Sequence, residues 1–209
     1  MSPDMELASA QLARMRGMNA AYHQRFFSDI RFTTVVVLLL FAGALGVDRR
    51  LFLAVPVIAL LGACQTAFDA SYLIFSRQYA TRLERFLNQQ LGRDLLVAHR
   101  LEETYLFPLD RPKVVTLAFS SGGFTWFGFM TALYTLAGAG VYTVGLIGSL
   151  DAIGGVIGIR AGGTYLIVLA AVTVTAIAVG AWWFPGGEGE RRLRAVLDET
   201  FGTSEEAVA

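Results

Sequence analysis

From Val114 to Leu150 the chain runs 37 residues without one charged side chain. A helix on the surface of a soluble domain carries a polar face, so a run of this length has no place there. In a bilayer it is what a spanning helix needs, since about 20 apolar residues at a rise of about 1.5 Å cover a hydrocarbon core about 30 Å thick. Three further uncharged runs follow the same rule: Phe32 to Val47, Leu51 to Phe68 and Thr164 to Phe184. Composition agrees, with 55% hydrophobic and 16% charged residues among 209, against roughly 45–50% and 25% in soluble domains. Backbone polar groups in hydrocarbon must be paired within the segment, which helices achieve. The sequence therefore predicts an all-α integral membrane protein with four transmembrane helices arranged as two hairpins, carrying cytoplasmic amphipathic helical arms.

The first hairpin is expected over residues 32–76, turning at Asp48-Arg49-Arg50 and placing Pro56 near the outer end of its second span, where a missing amide donor costs least. The second lies within 114–184. Thirty-seven uncharged residues exceed one perpendicular helix, so Ser120 to Gly123 is read as a break. Val114 to Phe119 then lies along the interface and Phe124 to about Val144 forms the third span. Gly145 to Gly163, dense in glycine, reads as an outer loop. Thr164 to Phe184 forms the fourth span, closed by Trp182-Trp183 at headgroup level and by Pro185-Gly186-Gly187.

Arginine and lysine set the orientation. Four precede the first span, seven lie between Arg77 and Lys113 and three follow Glu188, against three in the two opposite turns. The positive-inside tendency then places both termini and the central connector in the cytoplasm, with the protein in a cell (inner) membrane. Lys113 is the one lysine among 17 basic residues, which suits a GC-rich, bacterial coding sequence. No basic region followed by an apolar core opens the chain, so no standard secretory signal is expected. The formal net charge of zero gives no basic surface for nucleic acid.

The arms are amphipathic. Residues 1–31 place Met5, Ala8, Leu12, Met15, Asn19, Tyr22 and Phe26 at alternating steps of three and four, and 77–113 continue the second span through Tyr79, Leu83, Phe86 and Gln90. Antiparallel pairing of the two would make a coiled-coil-like seam, with Asn19, Tyr22, Tyr79, Leu83 and Phe86 in it and Asn19 setting register; Arg82, Glu84 and Arg85 would point elsewhere. Asp94 reads as the cap of a short helix to about Tyr105, ended by Pro108 and Pro112, and residues 185–209 as a further amphipathic helix with a frayed tail.

Asp69 is the one carboxylate in the second apolar run. Eighteen steps from Leu51 put it roughly 27 Å in, near the cytoplasmic limit of the core. There it is an anchor that reaches water, headgroups, Arg31 or Arg77; if the helix tilts, Asp69 joins Gln65 and Thr66 in a polar stripe suited to an ion path or an interhelix cluster. Cys64, the single cysteine, reads as apolar filler and leaves no disulfide or Cys-x-x-Cys pair. His23 and His99 lie in separate arms without metal-ligand spacing, Glu102 and Glu103 read as a solvated face, and no nucleotide or hydrolase motif occurs. No cofactor or metal is expected. Gly154, Gly158 and Gly162 repeat every four residues and are candidate packing positions, in an oligomer interface or a re-entrant pore segment, the plainer reading being a flexible outer loop rich in glycine. The function expected is a non-enzymatic, homo-oligomeric membrane module with a cytoplasmic helical docking bundle, its partners being the lipid bilayer, further copies and a cytoplasmic protein. The alternative is an ion channel or pore gated by the arms.

Overall fold

The computed structural model describes residues 3–105, 125–157 and 159–201. Among these residues six α-helices occur: α1 (Pro3–Gly46), α2 (Ala54–Leu91), α3 (Ala98–Tyr105), α4 (Trp126–Ala152), α5 (Ile159–Trp183) and α6 (Glu188–Phe201). No strand occurs among the described residues. The stretches Pro3–Gly46, Arg49–Leu91, Gly128–Gly155 and Arg160–Thr200 are each long and apolar enough to cross a membrane, as a multi-pass membrane protein requires. Their apolar side chains point outward, with Ile167 72% and Leu136 71% exposed. That is the pattern of helices whose solvent is lipid rather than water.

Local chemistry sets the helix ends. Pro3 opens α1, with Asp4 and Glu6 in its first turn, where carboxylates suit the free amides. Asp48 ends the approach from α1 in extended backbone and accepts the amide of Arg50 at 2.9 Å, starting a 3-10 turn over Arg49–Leu53 that feeds α2. Pro56 sits in the first turn of α2, where no amide donor is needed. At the other end of α2, Gly92 adopts a φ of 64°, and the amides of Gly92 and Arg93 reach the carbonyls of Gln89 and Asn88 at 3.1 and 3.3 Å, a Schellman cap. Thr125 starts α4 by accepting the Gly128 amide at 3.0 Å.

The outer loop expected over Gly145 to Gly163 is helical instead. α4 continues to Ala152, a π turn covers Ile153–Ile157, and α5 begins at Ile159 rather than Thr164. Gly145 and Gly148 sit where a neighbouring side chain comes close. A Cβ on Gly145 would lie 2.5 Å from Val55 Cγ1, and one on Gly148 would lie 2.5 Å from the Phe52 ring. The cap expected from Asp94 is also absent: α3 starts at Ala98, and Asp94 pairs with Arg100 at 2.7 Å. The breaks expected at Ser120 to Gly123, Pro108 and Pro112, the interfacial Val114 to Phe119, Gly158 and the tail after Phe201 lie outside the described residues.

Two compact units result, one of Met1–Gln24, Asp69–Thr131 and Trp182–Ala209, the other of Arg25–Phe68 and Ala132–Ala181. In the first, Ala8 and Met15 of α1 and Ala80, Leu83 and Leu87 of α2 form a buried core, flanked by Met5, Leu12, Met18, Tyr79, Phe86 and Leu96. α6 adds buried Leu197 and an Arg82–Asp198 ion pair at 2.6 Å. In the second, α1 and α2 approach closely at one glycine, where a Cβ on Gly62 would meet Thr33 Cγ2 at 2.5 Å. The 3-10 turn's carbonyls find donors there, Phe52 O lying 2.9 Å from the Ser149 hydroxyl and Leu53 O 2.7 Å from the Tyr165 hydroxyl. Tyr142 and Thr173 share a hydrogen bond at 2.8 Å, tying α4 to α5.

Candidate functional site

The strongest concentration of buried charge lies in the first unit, where α1, α2 and α3 each contribute. Arg77 and Glu84 are both 1% exposed. Burial of an ionised side chain is tolerated only when its partners replace water. Glu84 meets that demand on both oxygens. One accepts from the Arg16 guanidinium; the other lies 3.0 Å from the His99 amide and 2.8 Å from His99 Nδ1. Glu102 in turn accepts from Arg16 and, at 3.2 Å, from Arg77 Nε. The result is a ladder of alternating charge across three helices, in which Arg16 bridges both carboxylates.

Glu84 does a second job. The His99 amide belongs to the first turn of α3, so this carboxylate, carried by a different helix, supplies the cap that Asp94 does not. The connection leading into α3 is fastened by Asn88. Its Oδ1 accepts the Leu95 and Leu96 amides at 3.1 and 2.9 Å, and its Nδ2 donates to Leu96 O at 2.9 Å.

Burial alone would raise the Glu84 carboxyl, but the hydrogen bonds from Arg16 and from the His99 amide and ring, with the Arg16 charge, outweigh it and hold the group below its usual range. With Glu84 ionised, His99 Nδ1 carries the proton it donates, leaving Nε2 the acceptor in the neutral ring. His23 titrates below its ordinary value because burial disfavours its charged form and Arg77 repels it; Glu102 opposes this. Both groups lie outside the uncharged runs that suit the bilayer.

The residues singled out in the sequence scatter. Leu83 is in the buried core, with Tyr79 and Phe86 packed against it. Tyr22 stacks on Tyr72 with ring centroids 4.7 Å apart. Asn19 has a buried Oδ1 with no hydrogen-bond partner among the described residues. Asp69 is fully buried within protein. Thr66 donates to the Gly62 carbonyl at 2.7 Å, so its hydroxyl is committed to its own helix, and Gln65 is half-buried. Of the glycine repeat, a Cβ on Gly162 would meet Ile153 Cγ2, while nothing in the chain lies within 4 Å of one on Gly154. Cys64 is exposed.

Glu84, expected to point away from the seam, and Glu102, expected on a solvated face, instead tie the helices of the bundle together. Beside the ladder, an open cavity of about 740 Å³ is lined by Arg85, Asn88, Gln89, Gly92, Arg93, Asp94, His99 and Arg100. No group of three or more His, Cys, Asp or Glu side chains suited to a metal ion occurs among the described residues. The chain matches no protein-family model, no curated protein and no solved structure.

Proposed function

We propose that this protein is a non-enzymatic, oligomeric membrane module whose helical bundle, outside the bilayer, docks further copies of the chain and its cytoplasmic partner. The ladder Arg77–Glu102–Arg16–Glu84–His99 carries the reading, because its polar groups are used on one another. Such an arrangement fixes helix register and offers a rigid surface; it presents no free acid, base and nucleophile together. The long apolar stretches serve as four spans in two hairpins. Arginine-rich 1–31, 77–113 and 185–209 take the cytoplasmic side on the charge count.

A second reading, a pore gated by the arms, is favoured by Asp69. A carboxylate enclosed at the end of an apolar run, four residues from Gln65 on the same helix, is the kind of group that ion paths use. One experiment separates the two. The protein is reconstituted in liposomes, ion flux is measured for wild type and Asp69→Asn, and native mass spectrometry of the detergent-solubilised chain gives the subunit count. A silent homo-oligomer supports the docking module. Flux abolished by Asp69→Asn supports the pore, and a silent monomer overturns both.

A further inference from the structure

The cavity at the end of α2 has a wall unlike that of an ordinary small-molecule pocket. Such pockets, roughly 300–1,000 Å³, are lined mainly by apolar and aromatic side chains with a few polar groups. This one is about 740 Å³, and all its lining side chains are polar or charged, with Gly92 as the remaining contributor. Three are arginines. Arg100 is paired with Asp94 at 2.7 Å. Arg85 and Arg93 have exposed side chains with no ion pair or hydrogen bond among the described residues. Arginines held near one another without acceptors repel, and a bound anion removes that repulsion while filling the guanidinium donors.

The floor is fixed rather than floppy. Gly92 is held by the Schellman cap, Asn88 by three hydrogen bonds to the connector, and His99 by Glu84. A ligand would therefore meet a floor already in place, which lowers the ordering cost of binding, while the Arg85 and Arg93 side chains are free to turn toward it. No Phe, Tyr or Trp ring lines the cavity, and the one imidazole, His99, is held against Glu84, so a nucleobase has no large ring to stack on. Two uncompensated arginines, with the amides of Asn88 and Gln89 beside them, match phosphate oxygens rather than a single carboxylate.

We propose that this cavity binds a small polyanion carrying two or more phosphate groups, held chiefly by Arg85 and Arg93. The site stands apart from the docking and pore readings and needs neither. A phosphorylated headgroup offers the same chemistry as a free ligand. Arg85, however, follows Phe68 by 17 residues of one helix, about 25 Å at the standard rise, which favours a soluble ligand.

The test uses the full chain in nanodiscs of phosphatidylcholine, titrated with inorganic pyrophosphate at constant ionic strength and followed by calorimetry. Saturable binding is expected, weakened roughly tenfold or more in the double variant Arg85→Gln/Arg93→Gln, the loss expected from two charge-assisted contacts. Gln89→Glu, which keeps both arginines and adds a negative charge to the wall, should weaken it several-fold. The control Arg14→Gln/Arg50→Gln, which removes two exposed arginines elsewhere, should not. Equal weakening by the control, or no saturable binding, overturns the site. Inclusion of phosphatidic acid in the nanodisc identifies the source. Pyrophosphate affinity that falls with this lipid, in wild type only, shows the same site taken by a headgroup; unchanged affinity shows a soluble ligand.

Discussion

Glu84 is the residue on which most of the bundle's polar architecture turns. Replacing it by Gln keeps the shape but removes the charge that faces Arg16 and the His99 ring. Loss of about 3 kcal/mol is expected, in the range for one member of a buried pair, and denaturant unfolding in detergent would register it. The acid side of the stability profile should change with it. The folded carboxyl titrates below its ordinary value of 4.5. Its contribution is therefore complete above that value and disappears as pH falls through the lower folded one. His23 acts in a different window. Because its folded value is depressed from 6.5, the unfolded chain takes up the proton first, and stability declines as pH falls below about 6.5. His23→Gln should flatten that upper decline and leave the lower one, whereas Glu84→Gln should do the reverse; thermal midpoints between pH 7 and pH 3 distinguish them. The sequence carried a trace of this site. Arg16 and His23 are seven residues apart, and Arg77, Glu84 and Asn88 follow steps of seven and four, a stripe running beside the apolar seam. Only the packing of α3 against it, which depends on a contact 15 residues apart in the chain, could turn those polar residues from surface to interior.

At the scale of the helices, glycine is where expectation and structure part. The run from Gly145 to Gly163 reads locally as a loop, since glycine weakens helices in water. In lipid the balance reverses: unpaired backbone is far costlier, and a missing Cβ lets helices meet. The positions can be told apart by experiment. Gly145→Leu, driven into Val55 and Pro56, should destabilise strongly, while Gly138→Leu, with nothing within 4 Å, should be nearly neutral in an SDS-induced unfolding titration. Gly92→Ala belongs to a different class. Its φ of 64° strains any residue with a Cβ, and a loss of about 1 kcal/mol is expected from the same titration. The helical state of the described uncharged runs, by contrast, was legible, because their length against the bilayer leaves only the helix, though not where each helix ends.

For the whole molecule, charge distribution is the remaining guide. If the arginine-rich segments share one side, Leu7→Cys and Leu95→Cys, both at exposed positions, should react with an impermeant thiol reagent from the same face of inverted membrane vesicles. Val47→Cys should react from the other. The experiment needs a Cys64→Ala background, as Cys64 is exposed. Labelling of Leu7→Cys and Leu95→Cys from opposite faces would invalidate the four-span arrangement. Helix content and number follow from composition and run length; which polar residues meet does not, because that is decided by the angle at which one amphipathic face settles on another.

The cap that Glu84 lends to α3 has a consequence for how the protein can be watched. A backbone amide satisfied by its own helix exchanges with deuterium when that turn frays. The His99 amide is satisfied from across the bundle, so its exchange follows the parting of α2 from α3 instead. A single hydrogen thereby serves as a gauge of assembly, legible by hydrogen-exchange mass spectrometry without any attached probe.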